Sequence, residues 1–62
     1  MGKREIIARE IYDEYCKGVG GVAFNGDPLP KSYEFFDDQS KQKQANAWRM
    51  AADKAIQLIR LT

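Results

Sequence analysis

Apolar residues in the first third of the chain recur at intervals of three and four, which is the spacing of an amphipathic helix. Projected at about 100° per residue, they gather on one face, and most of the charged residues fall on the opposite face. The apolar face holds Ile7, Ala8, Ile11, Tyr12, Tyr15 and Cys16. The pattern predicts a helix from about Lys3 to Lys17, ended by Gly18 in a left-handed cap conformation.

The last third of the chain carries a second, longer amphipathic pattern. Its stripe is formed by Gln44, Trp48, Ala51, Ala52, Ala55, Leu58 and Ile59. Alanine favours helix intrinsically and lets a neighbouring backbone approach closely. We therefore predict a helix over about residues 39–61, on which Trp48 is the largest side chain of a face built otherwise mostly of small ones.

The segment between these patterns carries turn and capping signals. Asn25-Gly26 is typical of a tight turn, but Pro28 and Pro30 remove two hydrogen-bond donors where a returning strand would pair. The sequence therefore predicts an ordered loop with at most a vestigial hairpin. Ser32 is expected to cap a short helix over about residues 32–37, and Asp37-Asp38 supply a second capping signal before the long helix.

Together these elements predict a single all-α domain. Two antiparallel helices, at about 3–17 and 39–61, are joined by the ordered Gly/Pro loop and the short helix at about 32–37. The predicted core consists of Ile7, Ile11, Tyr15, Phe24, Leu29, Phe35, Trp48, Ala52, Ala55 and Ile59.

The chain length limits how stable such a domain is on its own. At 62 residues the core is small, and domains of this size usually need a disulfide, a metal, a partner or unusually good helix packing. A single Cys16 and the absence of histidine exclude an internal disulfide and a zinc ligand set. The stability must therefore come from helix packing or from self-association, so a homodimer is an alternative that the sequence leaves open. Neither a membrane span nor a signal peptide is recognisable, and we expect a cytoplasmic protein that does not bind membranes.

The residue types argue against catalysis. Without histidine the chain lacks the usual base at neutral pH, and its two serines, Ser32 and Ser40, stand in no recognised nucleophile motif. Cys16 belongs to the apolar helix face, where a thiol is more often buried and inert than nucleophilic. Helix capping accounts for the carboxylate pair Asp37-Asp38. We expect no catalytic residues, no cofactor and no metal.

Charge is distributed unevenly along a chain whose net charge is only +1. Five basic and eight acidic residues precede Gln39, a net of −3, whereas five basic residues and one acidic residue follow from there, a net of +4. We interpret this as attraction between the two halves within one fold, in preference to binding of an external polyanion. The alternative is nucleic-acid binding through the basic residues of the last helix, namely Lys43, Arg49, Lys54 and Arg60.

Apolar side chains outside the predicted core point to a protein partner. Ile6, Met50 and Leu61 lie off the core stripes, and the short helix carries three aromatic residues, more than it can easily bury. We expect at least two of those aromatics to be core. The protein-binding candidates are Ile6, Tyr33, Phe36 and Met50.

Three segments of the sequence resemble a family of small uncharacterised proteins found in phages, prophages and gut bacteria. The segments are the run from Tyr15-Cys16 through the loop Gly20-Gly21-Val22-Ala23-Phe24-Asn25-Gly26-Asp27-Pro28-Leu29-Pro30, the aromatic run Tyr33-Glu34-Phe35, and the helix segment Gln44-Ala45-Asn46-Ala47-Trp48. The resemblance covers most of the chain, with Tyr33 where Trp is common in the family. It implies no established activity. It favours a non-enzymatic accessory protein that binds an unidentified protein partner.

Overall fold

Two long helices and two short ones make up the part of the chain, residues 2–23 and 25–61, that the computed structural model describes. They are α1 (Lys3–Gly18), α2 (Ser32–Asp37), a 3-10 helix (Gln39–Lys41) and α3 (Gln42–Leu61). The predicted all-α fold is confirmed. The bounds of α1 and α2 agree with the sequence prediction to within one residue, because helical periodicity, glycines and prolines are local signals. Residues 39–41, predicted to begin the long helix, form the 3-10 helix before α3.

The long helices α1 and α3 run antiparallel and pack against each other. Near the start of α1, Arg4 forms an ion pair of 2.8 Å with Asp53. Nearer its end, the ring of Tyr15 lies 5.1 Å from that of Trp48, centroid to centroid. Later residues of α1 therefore contact earlier residues of α3, which is the antiparallel arrangement that the sequence predicts.

The buried core is centred on Tyr12. It comprises Ala8, Tyr12, Phe35, Phe36, Ala45 and Ala52. The Tyr12 ring stacks on Phe35 at 4.6 Å and meets the rings of Phe36 and Trp48 in edge geometry at 5.8 and 5.5 Å. Its hydroxyl donates a 2.8 Å hydrogen bond to the carbonyl of Pro30. Burial, and then hydrogen bonding to Cys16, raise the pKa of this phenol. One side chain thus joins both long helices, α2 and the loop.

Small residues occupy the line of contact between the long helices. Ala8, Ala45 and Ala52 are each fully buried. Alanine at these positions allows close approach of the two backbones, as the alanine pattern predicts. The same residues contribute little apolar area, so the core remains thin.

The predicted core is wrong at two positions. Tyr15 is 44% exposed and Ile59 is 68% exposed. Ile59 lies beyond Asp53, which already pairs with Arg4 at the start of α1, so this end of α3 extends past its neighbour. Phe35 and Ala52 are buried as predicted. Ile7, Ile11, Leu29, Trp48 and Ala55 are half-buried, and Phe24 lies outside the described residues.

Chain reversal after α1 takes place later than predicted. Gly18 is still helical, and the positive φ angles belong to Gly20 (76°) and Gly21 (79°). The Gly21 amide donates to the carbonyl of Cys16 at 2.8 Å, which closes the helix end. Glycine adopts this backbone conformation without steric cost because it has no Cβ atom.

The loop forms one isolated antiparallel bridge, between Val22 and Pro28, and so is the vestigial hairpin that the prolines predict. Capping of the next helices is confirmed for only one of two residues. Asp38 accepts a 2.9 Å hydrogen bond from the amide of Ser40. Ser32 is the first helical residue of α2, whose N-cap is Lys31, without a side-chain capping bond.

Candidate protein-binding face

One side of the α1–α3 pair is closed by α2. Phe36 of α2 is only 2% exposed, and the guanidinium groups of Arg9 and Arg49 lie over its ring at 5.4 and 5.3 Å from the centroid. The proposed surface role of Phe36 is therefore wrong. The six-residue helix α2 buries two of its three aromatics, because Phe35 stacks on Tyr12 and two guanidinium groups cover Phe36.

Glu5 links the two arginines on this closed side. Its carboxylate accepts bidentate hydrogen bonds of 2.7 and 2.9 Å from Arg49 and lies 3.5 Å from Arg9. Hydrogen bonding to Arg49 lowers the pKa of Glu5 and raises the pKa of Arg49. Asp37 adds a 3.2 Å ion pair to Arg9. Arg9 and Arg49 are therefore committed to intramolecular contacts.

Helical geometry identifies a second, uncovered side of the pair. On α1, Ile7 and Ile11 lie on the flank opposite Glu5 and Arg9. On α3, Trp48, Ala51, Ala55 and Leu58 lie on the flank opposite Arg49. Since Glu5 and Arg49 bond to each other, their two flanks share one side of the pair, and the two apolar flanks share the other. We call this surface the open face; it comprises Ile7, Ile11, Tyr15, Trp48, Ala51, Ala55 and Leu58.

The open face combines exposed and half-buried apolar side chains, with Ile7 and Ile11 half-buried on α1. Tyr15 is 44% and Leu58 is 53% exposed. Ala51 is exposed as well, whereas Ala55 and Trp48 are half-buried. The open face carries aromatic residues at one end and small or aliphatic residues along the rest. It therefore forms a shallow apolar strip between the two helices.

A groove of about 430 Å³ deepens the open face at the loop end. It is lined by Tyr12, Tyr15, Leu29, Pro30, Phe35, Lys41, Gln44, Ala47 and Trp48. Within residues 2–23 and 25–61, the Tyr15 hydroxyl and the Trp48 indole N–H have no hydrogen-bond acceptor. The groove therefore offers an apolar floor with two donors at its edge, and it can hold one or two apolar side chains of a partner.

The structure does not bring the sequence-predicted protein-binding residues together. Ile6, Tyr33 and Met50 are 50%, 59% and 68% exposed. Helical geometry turns Ile6 away from α3 and Met50 away from α1, and Tyr33 lies on α2. These three are therefore separate exposed residues. The sequence does not predict the open face, because its aromatic and aliphatic residues are equally typical of a buried core. The signal that could have indicated it is the width of the apolar stripe on α3.

The basic residues proposed to bind nucleic acid are also dispersed. Arg49 has a side chain only 13% exposed and is bound to Glu5, so its assignment as a phosphate contact is corrected. Lys43, Lys54 and Arg60 are exposed. Lys43 and Lys54 are eleven residues apart, roughly 16 Å along the helix axis.

Acidic and sulfur-bearing side chains do not gather into a cluster of three that could hold a metal ion anywhere in the described ranges. In the same part of the chain, no helix combines the length and the apolar character needed to cross a membrane. No protein family, no curated protein and no solved structure matches the chain.

Proposed function

We propose that the protein is a non-enzymatic protein-binding module that receives its partner on the open face. The observation that carries this proposal is the asymmetry of the α1–α3 pair. One side is closed by Phe36 and the Glu5–Arg49 pair, and the other presents apolar side chains from both helices. An exposed apolar surface that crosses two elements is typical of an interaction site.

The residue types of the open face suit a binding surface. Tyr and Trp are enriched among the residues that dominate interface energetics, because their rings provide large contact area and a polar group. Tyr15 and Trp48 are adjacent here. No acceptor among the described residues binds the Tyr15 hydroxyl or the Trp48 indole N–H, so each can donate a hydrogen bond to a carbonyl group of a partner. The resemblance to small phage proteins supports an accessory role. On this proposal the chain acts in the cytoplasm, of the host cell if it is phage-encoded.

Site-specific photo-crosslinking in cells tests the proposal. A benzophenone amino acid replaces Ala51 on the open face in one variant, and Met50 on the outer surface of the same helix in the matched control. Both positions are exposed, so neither replacement disturbs the core. We expect protein adducts from position 51 and few from position 50.

Three outcomes would contradict this proposal. Equal labelling at both positions would mean random collision, and no adduct at position 51 would mean that the open face is unoccupied. An adduct removed by nuclease would support the nucleic-acid alternative through Lys43, Lys54 and Arg60.

A further inference from the structure

The chain is thin for its mass. Its principal extents are 39 × 25 × 17 Å. In this shape α2 covers one side of the α1–α3 pair, and no further helix of residues 2–23 and 25–61 covers the other side. The radius of gyration is 12.3 Å, against about 10.6 Å for a compact domain of this length. Domains usually bury the apolar side of one layer against a second layer.

The accessible surface leads to the same conclusion. It measures 4764 Å², whereas a compact monomer of 7.1 kDa exposes roughly 4,100 Å². The excess of roughly 700 Å² approaches the roughly 800 Å² that each partner contributes to a standard protein interface. The chain therefore exposes about as much extra surface as one protein interface requires.

The edges of the open face carry opposite charges. Glu10, Glu14 and Lys3 border it on α1, with a net charge of −1, and Lys54 borders it on α3. All four residues are exposed, and in the described part of the chain only Glu14 has an ion-pair partner, Lys17. A second copy that lays its α1 along this α3 brings acidic edge to basic edge, and two-fold symmetry repeats the match.

We propose that the partner on the open face is a second copy of this chain, and that the two copies form an antiparallel four-helix bundle. This inference rests on the proposed function, since it names the occupant of the same surface. Each α1 packs along α3 of the other copy, and Tyr15, Trp48 and Leu58 become buried at the joint. The uncovered side of each α1–α3 pair is then buried by the other copy.

Sedimentation equilibrium of the purified chain from about 1 μM to about 1 mM tests the inference. We expect a mass of twice 7.1 kDa at the upper end, with reversible dissociation on dilution. Ala51→Glu places a charge in the centre of the joint without disturbing the protomer, and should weaken dimerisation by about 100-fold or more. Met50→Glu introduces the same charge on the outer surface of α3, and should change the dissociation constant by less than about threefold.

A charge-reversal set tests the arrangement of helices in the dimer. Glu10→Lys and Lys54→Glu should each weaken the dimer, and the double variant should recover part of the loss because the charges are exchanged across the joint. Circular dichroism of every variant confirms that helix content is retained.

Failure of this inference can be told apart from failure of the proposed function. A monomer at all concentrations, together with position-51 adducts to a different protein, would overturn the dimer and leave the binding module intact. A monomer without any adduct at position 51 would overturn both. Equal weakening by Ala51→Glu and Met50→Glu would move the joint away from the open face.

Discussion

Phe36 is enclosed by an unusual set of neighbours for so small a protein. Guanidinium groups lie over its ring, and Tyr12 meets it in edge geometry. Cation–π contacts strengthen when the cation is partly removed from water, as Arg9 and Arg49 are here, with side chains 18% and 13% exposed. At the scale of residues, an aromatic core and a charged network therefore depend on each other.

Substitution of Phe36 measures this dependence. Phe36→Ala should cost about 3–5 kcal/mol, comparable to the whole stability of a domain of this size, and leave the chain largely unfolded. Phe36→Leu should keep the fold and cost about 1–2 kcal/mol in urea denaturation followed by circular dichroism. Tyr33→Ala, on the exposed side of α2, is the control and should change stability by less than about 0.5 kcal/mol. Similar losses for Tyr33→Ala and Phe36→Leu would contradict the burial of Phe36.

The carboxylate of Glu5 makes stability depend on pH on the acid side. Its pKa in the folded state lies below the ordinary value of 4.5 because Arg49 donates two hydrogen bonds to it. A group with a lowered pKa stabilises the folded state above its unfolded pKa, and this contribution is lost as pH falls through the folded value. The stability difference between wild type and Glu5→Gln should therefore shrink from pH 7 to about pH 3.

Asp38 also has a lowered pKa, through its hydrogen bonds from Ser40, but it is present in both proteins and cancels in that difference. In an Arg49→Gln background the pH dependence of the Glu5→Gln effect should diminish, since the donor is gone. A difference that is constant with pH would show that the pair contributes nothing through charge.

At the scale of elements, the end of α1 is set by backbone conformation. A Cβ at Gly18 would meet nothing within 4 Å, and this residue is helical. Gly20 has the same open surroundings but a φ of 76°. Two glycines with equal space thus differ only in the backbone conformation that they adopt.

Alanine at these two positions should have effects of opposite sign. Gly18→Ala should stabilise the fold by about 0.5–1 kcal/mol, because alanine restricts the unfolded chain and suits the helix. Gly20→Ala should destabilise it by about 1–2 kcal/mol, because an L side chain is strained at positive φ. Thermal unfolding of both variants under identical conditions checks the pair, and a common sign would contradict the assigned helix end.

The elements themselves follow from local patterns in the sequence, but the way they meet does not. Periodicity gives the arc of α3 that is apolar, and that arc is wider than one neighbouring helix can cover. The line of contact follows the fully buried alanines Ala8, Ala45 and Ala52. Trp48 therefore lies beside the contact line rather than on it, and Tyr15 and Ile59, which share the apolar stripes, remain exposed.

At the scale of the whole molecule, the uneven charge along the chain predicts the ion pairs only in part. Glu5 and Arg49 pair across the two halves with the expected signs. Arg4 and Asp53 pair across them with the signs reversed, and Arg9 binds Asp37 within the first half. Pairing depends on which residues the helix packing brings together, and a separation of 44 residues between Glu5 and Arg49 carries no local signal.

Self-association predicts that thermal stability depends on protein concentration. Folded protomers are stabilised by mass action, so the melting temperature should rise by about 3–5 °C for each tenfold increase in concentration. Ala51→Glu should abolish this dependence and Met50→Glu should preserve it. A wild-type melting temperature that does not change with concentration would contradict self-association.

The hydrogen bond from the Tyr12 hydroxyl to the Pro30 carbonyl has a consequence for hydrogen exchange. Since the same ring fills the centre of the core, the loop that ends at Pro30 is tied to the most protected part of the molecule. The Leu29 amide, which bonds to the carbonyl of Gly21, should then exchange only through openings that also release Tyr12. This loop would open in the same cooperative step as the helices. Native-state hydrogen exchange in dilute denaturant would then find one cooperative unit, whereas the order of elements suggests that the loop and the helices open separately.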